Sequence, residues 1–248
     1  NWLPQSWIEG ILGSKNPLGV ILATLAGVPM YADIFGTIPV AEALLAKGAQ
    51  LGTILSFMMA VTTLSIPSLV MLKKAVKPKL LSLFIVICAI GIIIVGYAFN
   101  IFSTLFIAGN KLQTLFDNHI PEISLKQFML LSVVRQSKEP LTFTQLGNLL
   151  GCSRQNIKKL ADVLAKKGFI NIKQSPNDTR AMCICPTEKV NDYFQKDFSE
   201  HQAGLEYLFE VYTDEEVEML FVLLSKLYAG IENLEKKIDS EKKETETK

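Results

Sequence analysis

The sequence predicts a mainly α fold in two unlike parts. Residues 1–100 read as transmembrane helices, a broken helix plus two spans. Residues 101–248 read as a helix-turn-helix with a two-stranded wing and long flanking helices. Three observations lead there. Residues 1–100 contain six Lys, no Arg and only three acids (Glu9, Asp33, Glu42), while residues 101–248 hold the other 19 basic and 21 acidic residues. Leu80 to Asn100, LLSLFIVICAIGIIIVGYAFN, carries no charge over about 21 residues, enough to cross roughly 30 Å of hydrocarbon. In the second part, Ser or Thr followed three residues on by Gln or Glu recurs at Ser124, Thr142 and Thr213, the pattern that opens a helix by reciprocal capping.

In the first part, Trp2 to Leu12 reads as an interfacial helix with Trp2 and Trp7 at headgroup level. Pro17 to Phe35 is apolar but interrupted at Gly27-Val28-Pro29, where Pro29 removes a backbone donor and should break the helix. Pro39 to Lys47 is expected to be a short helix with Pro near its start and Gly48 past its end. Leu51 to Leu72 is a second span, bent near Pro67. Lys73, Lys74, Lys77 and Lys79 form a basic loop, and Leu80 to Asn100 is the third span. It runs without a linker into IFSTLFIAGNKLQTLFD, so Leu80 to Asp117 is expected to form a single helix of about 57 Å.

Broken helices at membrane depth are tolerated where they line a cavity, and ionisable residues there are functional candidates. Asp33 and Glu42 flank the break. Either they serve transport or they cap short helices at the interface; the residues leave both readings open.

In the second part, helices are expected from Ser124 to about Arg135, from Thr142 to Gly151, and from Arg154 to Lys167 behind the cap Ser153, with Gly168 as the stop. Phe169 to Lys173 and Ala181 to Cys185 read as strands joined by a polar turn. Thr187 is expected to cap a long helix to about Tyr212. Thr213 opens another that carries Val217, Leu220, Leu224, Leu227, Ile231 and Leu234, a two-helix seam. The charged tail from Glu235 is expected to fray.

Charge sharpens the functional reading. Residues 111–185 carry 11 basic and 5 acidic residues (+6), and residues 186–248 carry 8 and 16 (−8). A basic middle beside an acidic end fits a nucleic-acid face next to solvated helices. On the helix after Ser153, Ile157, Leu160, Val163 and Leu164 form the expected buried stripe. Arg154, Gln155 and Asn156 near its start suit base edges, and Lys158 and Lys159 suit phosphates. The wing adds Lys173, Asn177 and Arg180, and an Arg there can enter a minor groove. The expected partner is double-stranded DNA.

Phe143 to Ile157, then Leu164-Ala-Lys-Lys-Gly-Phe-Ile170, then Asp178-Thr-Arg180, resembles the MarR family of winged-helix repressors over about residues 101–237. The resemblance implies that Asp178 holds the wing turn while Arg180 reaches DNA. It also implies a homodimer built from first and last helices, a roughly palindromic operator, and release by a small-molecule effector or oxidation. The family's usual Leu-Thr after the wing is Cys185-Pro186-Thr187 here.

Residues 3–100 resemble the C-terminal half of a predicted-permease family that includes the ArsP-like organoarsenical efflux permeases. The resemblance lies in Gly27-x-Pro29-x-Tyr31, Pro39, the Ala-Leu-Leu-Ala-Lys-Gly run and the Pro-bearing span. Pro29, Tyr31 and Pro39 of this motif join Asp33 and Glu42 as transport candidates. The resemblance implies a missing N-terminal repeat, so transport by this chain alone is not expected. Asn1-Trp2-Leu3-Pro4 offers neither an initiator Met nor a basic leader, and the chain is expected to start inside a longer gene product.

Four cysteines make no disulfide framework in a chain of this length. Cys183 and Cys185 share one face of a strand and Cys152 precedes a helix. These are weak candidates for soft-metal or metalloid sensing, against a simple packing role. His119 and His201 are isolated. No paired carboxylates, nucleophile triad, phosphate loop or metal-ligand spacing points to an enzyme, and no cofactor is expected.

Three arrangements remain open from sequence: a regulator tethered by a permease remnant, a permease fragment with a regulatory or artefactual tail, or two neighbouring genes joined. Residues 1–100 are expected in the lipid bilayer, and the DNA-binding part is expected to work in the cytoplasm. Lysine-rich loops stay inside the cell, so the loop at 73–79 belongs to the cytoplasm and one further crossing leads outward.

Overall fold

The computed structural model describes residues 4–13, 16–119, 122–176, 180–196 and 206–246. It is mainly α-helical and divides into two compact units, Asn1–Glu122 and Ile123–Lys248.

The first unit holds α1 (Gln5–Leu12), α2 (Gly19–Gly27), α3 (Ile34–Ala46), α4 (Leu51–Thr63), α5 (Ile66–Ala75) and α6 (Pro78–His119). The expected break after Gly27 is present. The next helix starts earlier than expected, at Ile34, because Asp33 caps it: its Oδ1 accepts from the Gly36 amide at 2.6 Å. Pro39 therefore lies inside α3 rather than opening it, at the cost of one backbone hydrogen bond near the helix start.

The second span is present as one apolar stretch, Leu51–Ala75, and is interrupted at Leu64 and Ser65. The α4 helix ends at Thr63 and α5 opens at Ile66 with Pro67 in its first turn. A proline ring clashes with the carbonyl four residues back, here Thr63, which is where the helix stops. The two breaks meet: the Ile66 amide donates to the Val28 carbonyl at 2.9 Å. The lysines after it are not all in a loop. Lys73 and Lys74 lie in the last turn of α5, where cations suit the helix dipole, and Lys79 lies in the first turn of α6.

The α6 helix is continuous over 42 residues, about 63 Å. The expected division at residues 100 and 101 falls inside it. Only 17% of its most apolar window is buried, unlike the core helix of a water-soluble protein. Its packed side is Ile92, Gly96, Asn100 and Ser103. A Cβ on Gly52 would lie 2.1 Å from the Gly96 carbonyl oxygen, and one on Gly27 would lie 2.9 Å from the Phe57 carbonyl oxygen, so α4 meets both α6 and α2 backbone to backbone. Asn100 is the polar fastener: its Oδ1 accepts from the Gly52 amide at 2.7 Å, and its Nδ2 donates to Thr53 Oγ1 at 3.2 Å. It satisfies an amide in the first turn of α4, whose own N-cap, Gln50, supplies no side-chain bond. Tyr97 OH donates to the Pro17 carbonyl.

The second unit holds α7 (Leu125–Gln136), β1 (Leu141–Thr142), α8 (Phe143–Leu150), α9 (Arg154–Lys166), β2 (Ile170–Gln174), β3 (Met182–Pro186), α10 (Glu188–Lys196) and α11 (Asp214–Glu246). The expected caps form at Ser124, Thr142 and Thr213, each with the reciprocal bond from the residue three on. The strands are antiparallel in the order β1-β3-β2, with Ile172 opposite Ile184. Leu130, Leu131, Leu146, Ile157, Leu164 and Ile184 are fully buried among α7, α8, α9 and β3.

Three expectations need correction here. Thr187 turns its hydroxyl to the Gly168 and Phe169 carbonyls, 2.8 and 2.9 Å away, instead of capping the next helix. The charged tail is helical to Glu246, supported by local bonds such as Lys237 to Glu241. Val163 is 40% exposed, and Ala161 takes its place in the buried stripe. The middle of the long helix expected from Thr187 to Tyr212 lies outside the described residues, as does Trp2.

Candidate nucleic-acid interface

The second unit places a pair of helices and a wing around one face. The Thr142 cap starts α8, and Gly151 ends it in the left-handed region (φ 62°). The turn is tight: Cys152 N–H donates to the Gly147 carbonyl at 2.8 Å, and a Cβ at Gly147 would lie 2.6 Å from the Cys152 carbonyl oxygen. Ser153 then caps α9, its Oγ accepting from the Asn156 amide at 3.2 Å. This sequence of cap, glycine turn and cap fixes the angle between α8 and α9.

Burial of Ile157, Ala161 and Leu164 sets the rotation of α9. Arg154, Gln155, Lys158 and Lys159 are thereby exposed, with Ser153 exposed and Asn156 half-buried at the helix start. Among the described residues, Arg154, Lys158, Lys159 and Lys173 make no ion pair. An uncompensated cationic helix face is what phosphate contacts require.

The wing follows from β2 and β3. Ser175 N–H donates to the Ala181 carbonyl at 2.8 Å, extending the hairpin beyond the strand register. Lys173 and Arg180 are exposed. Asn177 and Asp178 lie outside the described residues. Arg180 and Arg154 line one cleft of about 590 Å³, together with Glu139, Thr142, Gln145 and Ser175. The structure thus joins the wing arginine to the start of α9; Lys158, Lys159 and Lys173 do not line that cleft. The floor is built by β1, which pairs Leu141 with Ile184 and Thr142 with Cys183. Sequence reasoning missed this strand, since two residues carry no alternation to read.

Cys183 is buried on the central strand, and burial, with Cys185 beside it, pushes its thiol up from the ordinary cysteine value. A raised thiol is a poorer ligand and nucleophile. Cys152 directs its Sγ to the Leu150 carbonyl at 3.4 Å. Among the described residues no three His, Cys, Asp or Glu side chains gather to hold a metal.

In the first unit, Pro29, Tyr31, Asp33, Pro39 and Glu42 are all exposed, and Asp33 caps α3. Sequence reasoning missed Ser65, which is fully buried at the break between α4 and α5 and donates to Ser68 Oγ at 2.8 Å. Its signal was present as a Ser-Ile-Pro-Ser run at a helix break.

Comparison with known proteins separates the same two parts. Residues 1–101 match the ArsP_1 family, described as a predicted permease, and residues 123–182 match the MarR family. The transcriptional repressor MprA of Escherichia coli K12 is 26% identical over 106 residues, 43% of this chain and 60% of that repressor. The HTH-type regulator YcgE of Bacillus subtilis is 30% identical over 87 residues, 35% of this chain and 56% of that protein. The chain thus spans somewhat over half the length of these curated relatives. The MarR protein of Peptoclostridium difficile shares the fold: TM-score 0.50 at 24% identity, over 54% of this chain and 88% of that one.

Proposed function

From a chain whose first part matches a predicted permease and whose second part matches the MarR family, we propose a sequence-specific DNA-binding transcriptional regulator, a ligand-responsive repressor, fused to a partial membrane permease. The single observation that carries this reading is the exposed cationic face of α9, without an ion pair among the described residues, beside the wing arginine. It works as a homodimer, with α11 and the second half of α6 supplying apolar faces that remain open in one chain: Leu224, Leu227, Ile231 and Leu234 on α11, and Phe102, Phe106 and Leu115 on α6, are all exposed. A dimer doubles the reading face and implies a two-fold operator. No step of the reading needs catalysis or a cofactor.

In this reading α9 enters a major groove. Arg154, Gln155 and Asn156 meet base edges, Ser153 positions them as the cap, and Lys158 and Lys159 hold phosphates. Lys173, Asn177 and Arg180 follow the flanking backbone and minor groove, with Asp178 shaping the turn. The test is selection of an operator from random duplexes by the full chain in detergent, followed by titration of variants. Arg154→Ala and Arg180→Ala are each expected to cost about 1–3 kcal/mol of binding, and Lys158→Ala to lower the salt slope by about one. Unchanged binding in all three overturns the interface.

A second reading is favoured by the lysines at 73–79. In this reading that hairpin lies in the cytoplasm, where lysine-rich loops are enriched, and a single crossing by α6 puts the second unit on the other side, away from DNA. This favours two neighbouring genes joined into one frame, or a permease fragment with an appendage, with the crossed breaks at Val28 and Ile66 kept as half of a carrier site. Reporter fusions after residues 76 and 245 decide: both cytoplasmic supports the tethered regulator, and opposite sides support the join.

A further inference from the structure

The four lysines at residues 73–79 form one cluster at the turn from α5 to α6. Lys73 and Lys74 end α5, Val76 reverses the chain in an extended conformation, Lys77 lies in the connection, and Lys79 lies in the first turn of α6. All four are exposed, and among the described residues none has an acidic partner. Bonds from Leu80 N–H and Leu81 N–H to the Lys77 carbonyl, both 3.0 Å, tie that corner to the helix start. A net charge of four is thus held within seven residues at the tip of a hairpin between two apolar helices.

What lies next to the charge identifies the ligand. On α5 the preceding turn exposes Val70 (54%) and Met71 (60%), and on α6 the following turn exposes Leu80 (59%) and Leu83 (54%). A soluble anion needs only the cations. A surface that sets a cationic rim directly against apolar walls on both sides matches a molecule with a phosphate at one end and acyl chains at the other. Lysine is suited to it, because its stem lies along apolar surface while its ammonium reaches the phosphate level.

We propose that the hairpin at residues 73–79 is a binding surface for anionic phospholipids, with the four lysines on the phosphodiester headgroups and Val70, Met71, Leu80 and Leu83 along the acyl chains. It rests on reading α6 as a span. The surface keeps anionic lipid at that end of the hairpin and fixes the height of α6 in the bilayer.

The experiment places the full chain in bilayers and compares spin-labelled phosphatidylglycerol with spin-labelled phosphatidylcholine in the motionally restricted lipid shell. The native chain is expected to enrich phosphatidylglycerol by about threefold or more. The variant K73Q/K74Q/K77Q/K79Q loses the preference, and K73R/K74R/K77R/K79R keeps it. Flotation with the vesicles but equal occupancy by both lipids, or an unchanged preference in the Gln variant, overturns this proposal alone. Failure of the chain to float overturns it together with the span reading. Loss of the preference on adding inorganic phosphate shows a small-anion site, and displacement of the labelled lipid by duplex DNA shows a nucleic-acid surface; either result overturns it.

Discussion

The contact of α4 with α6 and the core beneath α9 solve the same problem with opposite materials. Around α9 the fully buried residues are bulky: Leu130, Leu146, Ile157, Leu164, Phe169 and Ile184. Between α4 and α6 one end of the contact is an apolar cluster of Ala60, Leu64 and Ile92, and the other is glycine, serine and asparagine, with backbones touching at Gly52 and Gly96 and Asn100 bonded across the seam. In water, association is driven by removing large apolar side chains from solvent. In lipid that drive is absent between helices, so close backbone approach and hydrogen bonds hold the contact instead. The surfaces follow suit. Outward positions of α6 such as Leu83, Ile87, Ile90 and Ile94 are exposed and apolar, whereas outward positions of α9 such as Arg154, Gln155, Lys158, Lys159 and Asp162 are polar or charged, with Val163 the apolar exception.

That contrast can be broken by substitutions of graded size. The largest effect is expected from Leu164→Ala, which empties a wholly buried site in the second unit. It should lower the stability of that unit by about 2–5 kcal/mol in chemical denaturation and leave the first unit unchanged. Next comes Gly52→Ala, a single added methyl aimed at the Gly96 carbonyl. It is expected to cost about 1–3 kcal/mol, read as loss of thermal stability of the first unit in detergent. A methyl that stabilised the first unit would show that its helices are not held by close approach. Asn100→Leu keeps the branched side-chain shape but removes both bonds across the seam, and about 1–2 kcal/mol is expected. The smallest is Ser153→Ala, about 1 kcal/mol from the lost cap of α9, measured as a lower melting temperature of the second unit.

What the sequence made legible was local. The caps at Ser124, Thr142, Ser153 and Thr213 depend on residues three apart, and all four form. The break at Pro29 and the left-handed glycines Gly151 and Gly168 are likewise written within a few residues. What was missed depends on partners far along the chain. Val163 and Ala161 compete for one stripe, and only the position of α9 over the sheet decides between them. The strand at Leu141 exists because Ile184 is opposite it. Asn100 looked like the polar end of a span, and its role appears only when Gly52 is brought against it, 48 residues away. For the candidate interface, the residue types on α9 were readable, while the shared cleft of Arg154 and Arg180 needed the fold.

The unbroken course of α6 from Pro78 to His119 has a consequence for phase. Each residue of an α-helix turns the chain by about 100° and advances it by about 1.5 Å. With no proline or loop between Leu80 and His119, one residue inserted near Gly109 is expected to swing the far end by about 100°, while seven removed shorten it by about 10 Å and nearly restore its azimuth. The helix therefore keeps angle and height as separate, adjustable quantities, and indels of one and of seven residues would tell which of them the protein is tuned to.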